Sequence, residues 1–292
     1  MPAPRELWSL AHRRVAADVG PRPTAPSEGV LTLTGTIRWM SRRPCSYGAA
    51  MSETPAPTSD NVSYSLTDDV ATITIDDGKA NALGHPTLGG IEDALDRAEA
   101  DGAKAVVIAG RDGKFSAGFD LSVMTSGPQN AKDPLGRGAE LGIRVYEFPL
   151  PVVLAVTGHA LAMGGILLCC ADVRIGAQGP FKLGLNEVRI GMPVPAFAVE
   201  VCRDRLAPPA FTRAIQLAHV HSPDEALRAG FLDEVVEPDQ VVGRATEVAA
   251  DLASSLHPGP FRMTRVTTRG AVASQLREVL AADLEEFFVA AP

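Results

Sequence analysis

The chain has 292 residues, 46% of them hydrophobic and 21% charged, with a formal net charge of −8. That composition is globular and long enough for one large domain or two modest ones. The acidic balance argues against a nucleic-acid partner and against an anionic membrane surface. Cys45, Cys169, Cys170 and Cys202 show no C-x-x-C or other metal spacing. They read as reduced, buried thiols in a cytoplasmic protein without a metal site.

Residues 1–50 hold seven arginines against three acids, a balance of +4 that leaves −12 for the rest. No apolar core of secretory length follows the first charges, so no signal peptide is expected. Arginine outnumbers lysine 22 to 5 over the whole chain, so the arginine-rich start is not a special targeting signature. After Met51 comes the polar "SETPAPTSD", which reads as a loose N-terminus. Residues 1–50 are therefore expected to be an extension, disordered or upstream of the true start. A core over 51–250 and a C-terminal helical segment over 251–292 follow.

From Asn61 the pattern becomes regular. "VSYSL" and "VATITID" alternate at period two and predict a hairpin. Leu88, Ile91, Leu95 and Ala98 step by three and four, predicting an amphipathic helix. "AVVIAG" at 105–110 predicts a short buried strand. From Phe148 to Ala171 no charged residue occurs, a length that would cross a bilayer. Pro149 and Pro151 open that run, and Gly158, Gly164 and Gly165 interrupt it. A buried strand, a glycine turn and a buried helix starting near Met163 account for it better than a membrane span. "DVRIGA" predicts another strand. Strand–helix alternation of this kind indicates an α/β fold. After Pro193 the chain reads as mostly helical, with Ser222 as an N-cap, Gly230 as a stop, and long helices at about 239–256 and 271–289.

Two turns carry more chemistry than any side chain alone. In "KFSAGFDL" (114–121) a strand ends at a glycine and a helix is expected to follow. "GHALAMGG" (158–165) repeats the layout. The first N–H groups of a helix have no partner inside it. Two such donors aimed at one place would form an oxyanion hole. Downstream, "LGLNEVRIG" (183–191) sets Glu187 among apolar residues. If the run is buried, an unpaired carboxylate there is costly and its pKa rises. The residues alone leave Glu187 open between a catalytic base and an ordinary charge with an unseen partner.

Together these segments resemble the crotonase, or enoyl-CoA hydratase/isomerase, superfamily. The resemblance runs from about Val62 to the C-terminus. It rests on "DDGKANAL" (76–83), "VVIAGRDGKFSAGFDL" (106–121), "GHALAMGGILLCCADVRIG" (158–176), "LGLNEVRIGMP" (183–193) and "EALRAGFLDEVV" (225–236), in the family's order. It implies a spiral of ββα units with C-terminal helices, assembled as a homotrimer or dimer of trimers. It also implies an acyl-CoA substrate and no cofactor. The thioester oxygen would sit between the backbone N–H groups of Phe119 and Met163. Lys79, Ala80, Ala82, Leu83 and Ala117 match segments that line CoA.

Hydratases of this family usually carry two glutamates. Three residues on from Met163, the first position is Ile166. The second is Glu187. "GLNE" also resembles the Δ3,Δ2-enoyl-CoA isomerase branch. The resemblance therefore implies Glu187 as the single base of a 3-enoyl-CoA to 2-enoyl-CoA isomerase in fatty-acid oxidation. The alternatives are a 2-enoyl-CoA hydratase and a non-catalytic acyl-CoA-binding protein. Asp120 is expected to cap a helix rather than act as a second acid. His159 is expected to pack or hydrogen-bond, and Asp172 to be structural. Lys182 and Arg189 read as solvated charges. Ser116 lacks the G-x-S-x-G setting of a nucleophile.

Overall fold

The computed structural model describes residues 56–286, so the expected extension at 1–50 lies outside the described residues. Strands β1 (Ala56–Ser59), β2 (Val62–Thr67) and β3 (Val70–Ile75) form an antiparallel meander at one edge of a seven-stranded sheet. The expected β2–β3 hairpin turns at Asp68 and Asp69, with φ of 49° and 68°. Two left-handed residues match the right-handed twist of the flanking strands, and aspartate tolerates that conformation. Part of the polar stretch after Met51 is ordered, because Ala56–Ser59 adds to the β2 edge.

Helix α1 (His85–Ala100) buries Leu88, Ile91, Leu95 and Ala98, the stripe that predicted it. Three units of related layout follow. The first is β4 (Ala105–Ala109), β5 (Gly113–Ser116), α2 (Leu121–Met124) and α3 (Pro128–Glu147). The second is β6 (Val152–Val156), β7 (Gly158–Leu161) and α4 (Met163–Cys170). The third is β8 (Val173–Ala177) and β9 (Leu183–Gly184), then a 3-10 turn at Glu187–Ile190 and α5 (Ala196–Arg205). The first strand of each unit pairs in parallel within the large sheet, and the second strand within a separate three-stranded sheet. This is the expected α/β spiral of ββα units. Equivalent points of successive units therefore stack. The segments after β5, β7 and β9 carry Phe119, Met163 and Glu187.

Helices α6 (Pro208–Ile215) and α7 (Pro223–Ala229) follow, then β10 (Glu234–Val236), α8 (Val241–Ser255) and α9 (Pro258–Glu286). Ser222 caps α7 in a capping box with Glu225, and Gly230 ends it in the left-handed region, as expected. The stretch after Pro193 is not wholly helical, since β10 closes the large sheet beside β8. The expected boundary at 250/251 falls inside α8. The chain breaks at Leu256–His257 instead, because Pro258 opens α9 and disfavours helix in the residue before it.

Strands β4, β6 and β8 are buried on both faces, which explains their uninterrupted apolar sequences. One face meets the main core. The other meets Val241, Ala245, Ala249 and Ala253 of α8, a four-residue spacing that keeps one small-residue face on the sheet. The uncharged run at 148–171 resolves into β6, β7 and the fully buried α4. No helix among the described residues is long and apolar enough to cross a membrane. Leu276 and Leu280 of α9 are buried within this chain, where α9 packs on α3 and α5. Asp172 ties α9 to the core, as a structural residue should. It accepts from Val152 N at 2.8 Å and pairs with Arg265 and Arg269 at 2.7 and 2.9 Å.

Candidate active site

The KANAL loop is built around Asn81, whose side chain is fully buried. Its Nδ2 donates to Ile75 O at 2.8 Å and to Lys114 O and Phe115 O at 3.1 Å. Its Oδ1 accepts from Asp77 N at 3.1 Å. Asp77 in turn accepts from the N–H groups of Lys79, Asn81 and Ala82 at 2.7–2.9 Å. Partial burial works against the Asp77 carboxylate, but those backbone donors outweigh it and hold its pKa below the ordinary value. The loop is latched to the turn after β5. Ala117 N donates to Ala80 O, Leu83 N to Gly118 O, and Ser116 Oγ to Asn81 O.

Asn81 was not among the expected site residues, although an asparagine between small residues is a common mark of a left-handed position. Its φ is 53°. Asn81→Ala strands buried acceptors and keeps a left-handed backbone without side-chain support. We expect a loss of about 2–4 kcal/mol, read as a lower urea midpoint. An unchanged midpoint would show that the loop does not depend on this side chain.

Gly118, at φ 82°, lets the first turn meet the second. A Cβ there would lie 2.8 Å from Ala162 Cβ and 2.9 Å from both Leu161 O and Met163 N. Ala162, with φ 50° and ψ −125°, holds a conformation that suits glycine better, anchored by its N–H to Gly184 O at 3.1 Å. Met163 is the first residue of α4, so its N–H stands at the positive end of the helix dipole. Neither Phe119 N–H nor Met163 N–H donates to an acceptor among the described residues.

Phe119, Met163, Ile166 and Glu187 line one cavity of about 140 Å3, with Ala117 and Ala162 beside them. Leu135 of α3, Met124, Met192, Pro193 and Pro195 supply further apolar wall. Glu187 is 6% exposed, and its Oε2 has no hydrogen-bond partner. Burial pushes its pKa up from 4.5 to about 7, against a smaller opposing pull from the N–H groups of Glu187 and Asn186. It is the single ionisable side chain lining this cavity among the described residues. Asn186 also lines it, with Oδ1 buried and unpaired.

The other expected residues lie outside the cavity lining. Lys79, Ala80 and Ala82 lie on the latched loop, outside the cavity lining. Leu83 has its side chain wholly in the core, so only its backbone faces the loop. Asp120 caps α2 through Ser122 N at 2.8 Å, and the Ser122 bonds hold its pKa low. His159 accepts from Lys182 N at 3.0 Å and packs edge-on against Phe181. Lys182 and Arg189 are exposed. Cys169, Cys170 and Cys202 are free and buried.

Residues 66–289 match the family model described as enoyl-CoA hydratase/isomerase. The chain belongs to the enoyl-CoA hydratase/isomerase family. Among its relatives, mouse mitochondrial enoyl-CoA delta isomerase 1 is 34% identical over 60% of this chain. That alignment takes in 61% of the mouse protein, less than two thirds of its length. A probable enoyl-CoA hydratase of Bacillus subtilis is 33% identical over 66% of this chain and 76% of its own. The solved apo structure of a Mycobacterium tuberculosis enoyl-CoA isomerase superposes with a TM-score of 0.75. Its identity is 40%, over 78% of this chain and 99% of that one. The names of these family members divide between isomerase and hydratase.

Proposed function

We propose that this family member shifts the double bond of a 3-enoyl-CoA thioester to the 2-position. The observation that carries the reading is a cavity in which Glu187 is the one titratable side chain among the described residues and aliphatic Ile166 lines the same space. Isomerisation needs one mobile base. The ionised Glu187 takes a proton from C2, and the electron pair moves to the thioester oxygen as an enolate. The N–H groups of Phe119 and Met163 hold that oxygen. They do not titrate, and they are aimed before the charge develops. The protonated Glu187 then returns the proton at C4, and the double bond settles between C2 and C3. No cofactor enters this scheme. A base with a pKa near 7 is suited to both halves, since it must gain and lose one proton in each turnover. The KANAL loop would carry the CoA moiety beside the first turn.

A second reading draws on Asn186. Its unpaired Oδ1 beside Glu187 would accept a hydrogen bond from water, which favours hydration of a 2-enoyl thioester. A binding protein without catalysis fits less well, because an unpaired buried carboxylate costs stability and brings no benefit to such a protein. The test is to incubate the protein separately with 3-enoyl-CoA and 2-enoyl-CoA and identify the products by mass and absorbance. We expect the 3-enoyl substrate to become conjugated without a change in mass. Faster addition of water to the 2-enoyl substrate would replace the isomerase reading with the hydratase one.

A further inference from the structure

We infer that Gly138 of α3 determines how long an acyl chain the cavity accepts, by leaving a slot for the ring of Phe119. The inference rests on the acyl-thioester reading of the cavity. A Cβ added at Gly138 would lie 2.4 Å from Phe119 Cζ, 2.5 Å from Phe119 Cε1 and 3.6 Å from Met163 Cγ. The first two distances are overlaps. Gly138 lies inside a helix and does not have a positive φ, so its backbone does not require glycine. Glycine inside a helix is unfavourable relative to alanine, which points to a packing reason at this position. The ring of Phe119 supplies it.

Phe119 lies between α3 and the cavity, and its backbone is fixed by the contact of Gly118 with Ala162 and Met163. Helix α3 blocks retreat on one side. A ring pushed off Gly138 therefore turns into the cavity, where it takes space from the acyl chain. Glu187, more than nine-tenths buried with Oε2 unpartnered, marks this same cavity as a place built for a ligand. Gly142, one turn along, is a milder case, its Cβ lying 3.3 Å from Met163 Cε. Gly136 meets Leu284 of α9 instead, outside the cavity lining.

The experiment measures binding of saturated acyl-CoA thioesters of short, medium and long chain by calorimetry, with kcat and KM on the matching 3-enoyl series. Wild type, Gly138→Ala, Gly138→Ala with Phe119→Leu, and Gly136→Ala are compared. Each methylene excluded from an apolar site weakens binding about fourfold, the equivalent of ~0.8 kcal/mol. Gly138→Ala should therefore lose affinity for long chains by on the order of tenfold relative to short ones. The loss should appear in KM more than in kcat. Phe119→Leu should restore the long-chain preference in the double variant, and Gly136→Ala should keep the wild-type pattern. An unchanged chain-length profile in Gly138→Ala, or no restoration by Phe119→Leu, overturns the inference and leaves the isomerase reading standing. Failure of the wild type to bind any acyl-CoA overturns both.

Discussion

Glu187→Gln should lower turnover of a 3-enoyl thioester by on the order of a thousandfold or more, while acyl-CoA affinity holds. The amide fills the same space and cannot take a proton. The same substitution should also change stability, with a sign fixed by the pKa. Burial raises the Glu187 carboxyl from 4.5 to about 7, so between those pH values the folded state holds a proton that the unfolded state has released. The stability contributed by the protonated form is fully present below about pH 4.5 and is lost as pH rises through about 7. Above that, the fold carries the cost of a buried charge, about 3 kcal/mol at roughly 1.4 kcal/mol per tenfold. Glutamine does not titrate. The variant should therefore be more stable than the wild type at pH 8, with the difference shrinking toward pH 4.5. Wild-type activity should rise through pH 7 as the base ionises. Denaturant midpoints across pH test the first claim, and kcat across pH tests the second. A parallel loss of acyl-CoA affinity, or a variant less stable at every pH, would make Glu187 a structural residue.

Parts of this molecule are legible from local sequence because local physics decides them. The β2–β3 hairpin has strict alternation and two aspartates where the turn needs left-handed residues. Helix α7 carries its own cap and its own stop. Helix α3 is different. It spans Pro128–Glu147 with Pro134 inside and glycines at 136, 138 and 142, residues of low helix propensity. Its helix is held by tertiary packing on α4 and α9, and Gly138 has meaning only once Phe119 is beside it. Strands β5, β7 and β9 are four, four and two residues long, too short for periodicity, and exist through pairing with one another. The cavity shows the same division. Phe119, Met163, Ile166 and Glu187 were implied by the family resemblance of their motifs, and they line one cavity. Asn81 is not legible locally because its work is done through bonds to residues up to 35 positions away.

Ile166→Glu should convert part of this activity into hydration. Ile166 is 2% exposed, sits on the first turn of α4 and shares the cavity with Glu187. A carboxylate there would give water a second partner, with one group to take its proton and one to deliver a proton to the substrate carbon. General acid–base assistance is worth on the order of a hundredfold or more, so hydration of a 2-enoyl thioester should rise by about that factor while isomerisation falls or stays level. The substitution has a cost. Losing a packed aliphatic side chain and desolvating a carboxyl destabilises the fold by roughly a few kcal/mol, partly offset by the helix N-terminus nearby. The two carboxyls also repel across an apolar space. One keeps its proton while the other ionises, so hydration should peak over the pH range in which the pair holds a single proton. The measurement is hydration and isomerisation rates across pH, on protein shown to be folded by its circular dichroism and denaturant midpoint. A folded variant with no gain in hydration would mean that position 166 does not address the reacting carbons. Ile166 would then no longer set Glu187 apart as a single base, and isomerisation would have no structural preference over hydration.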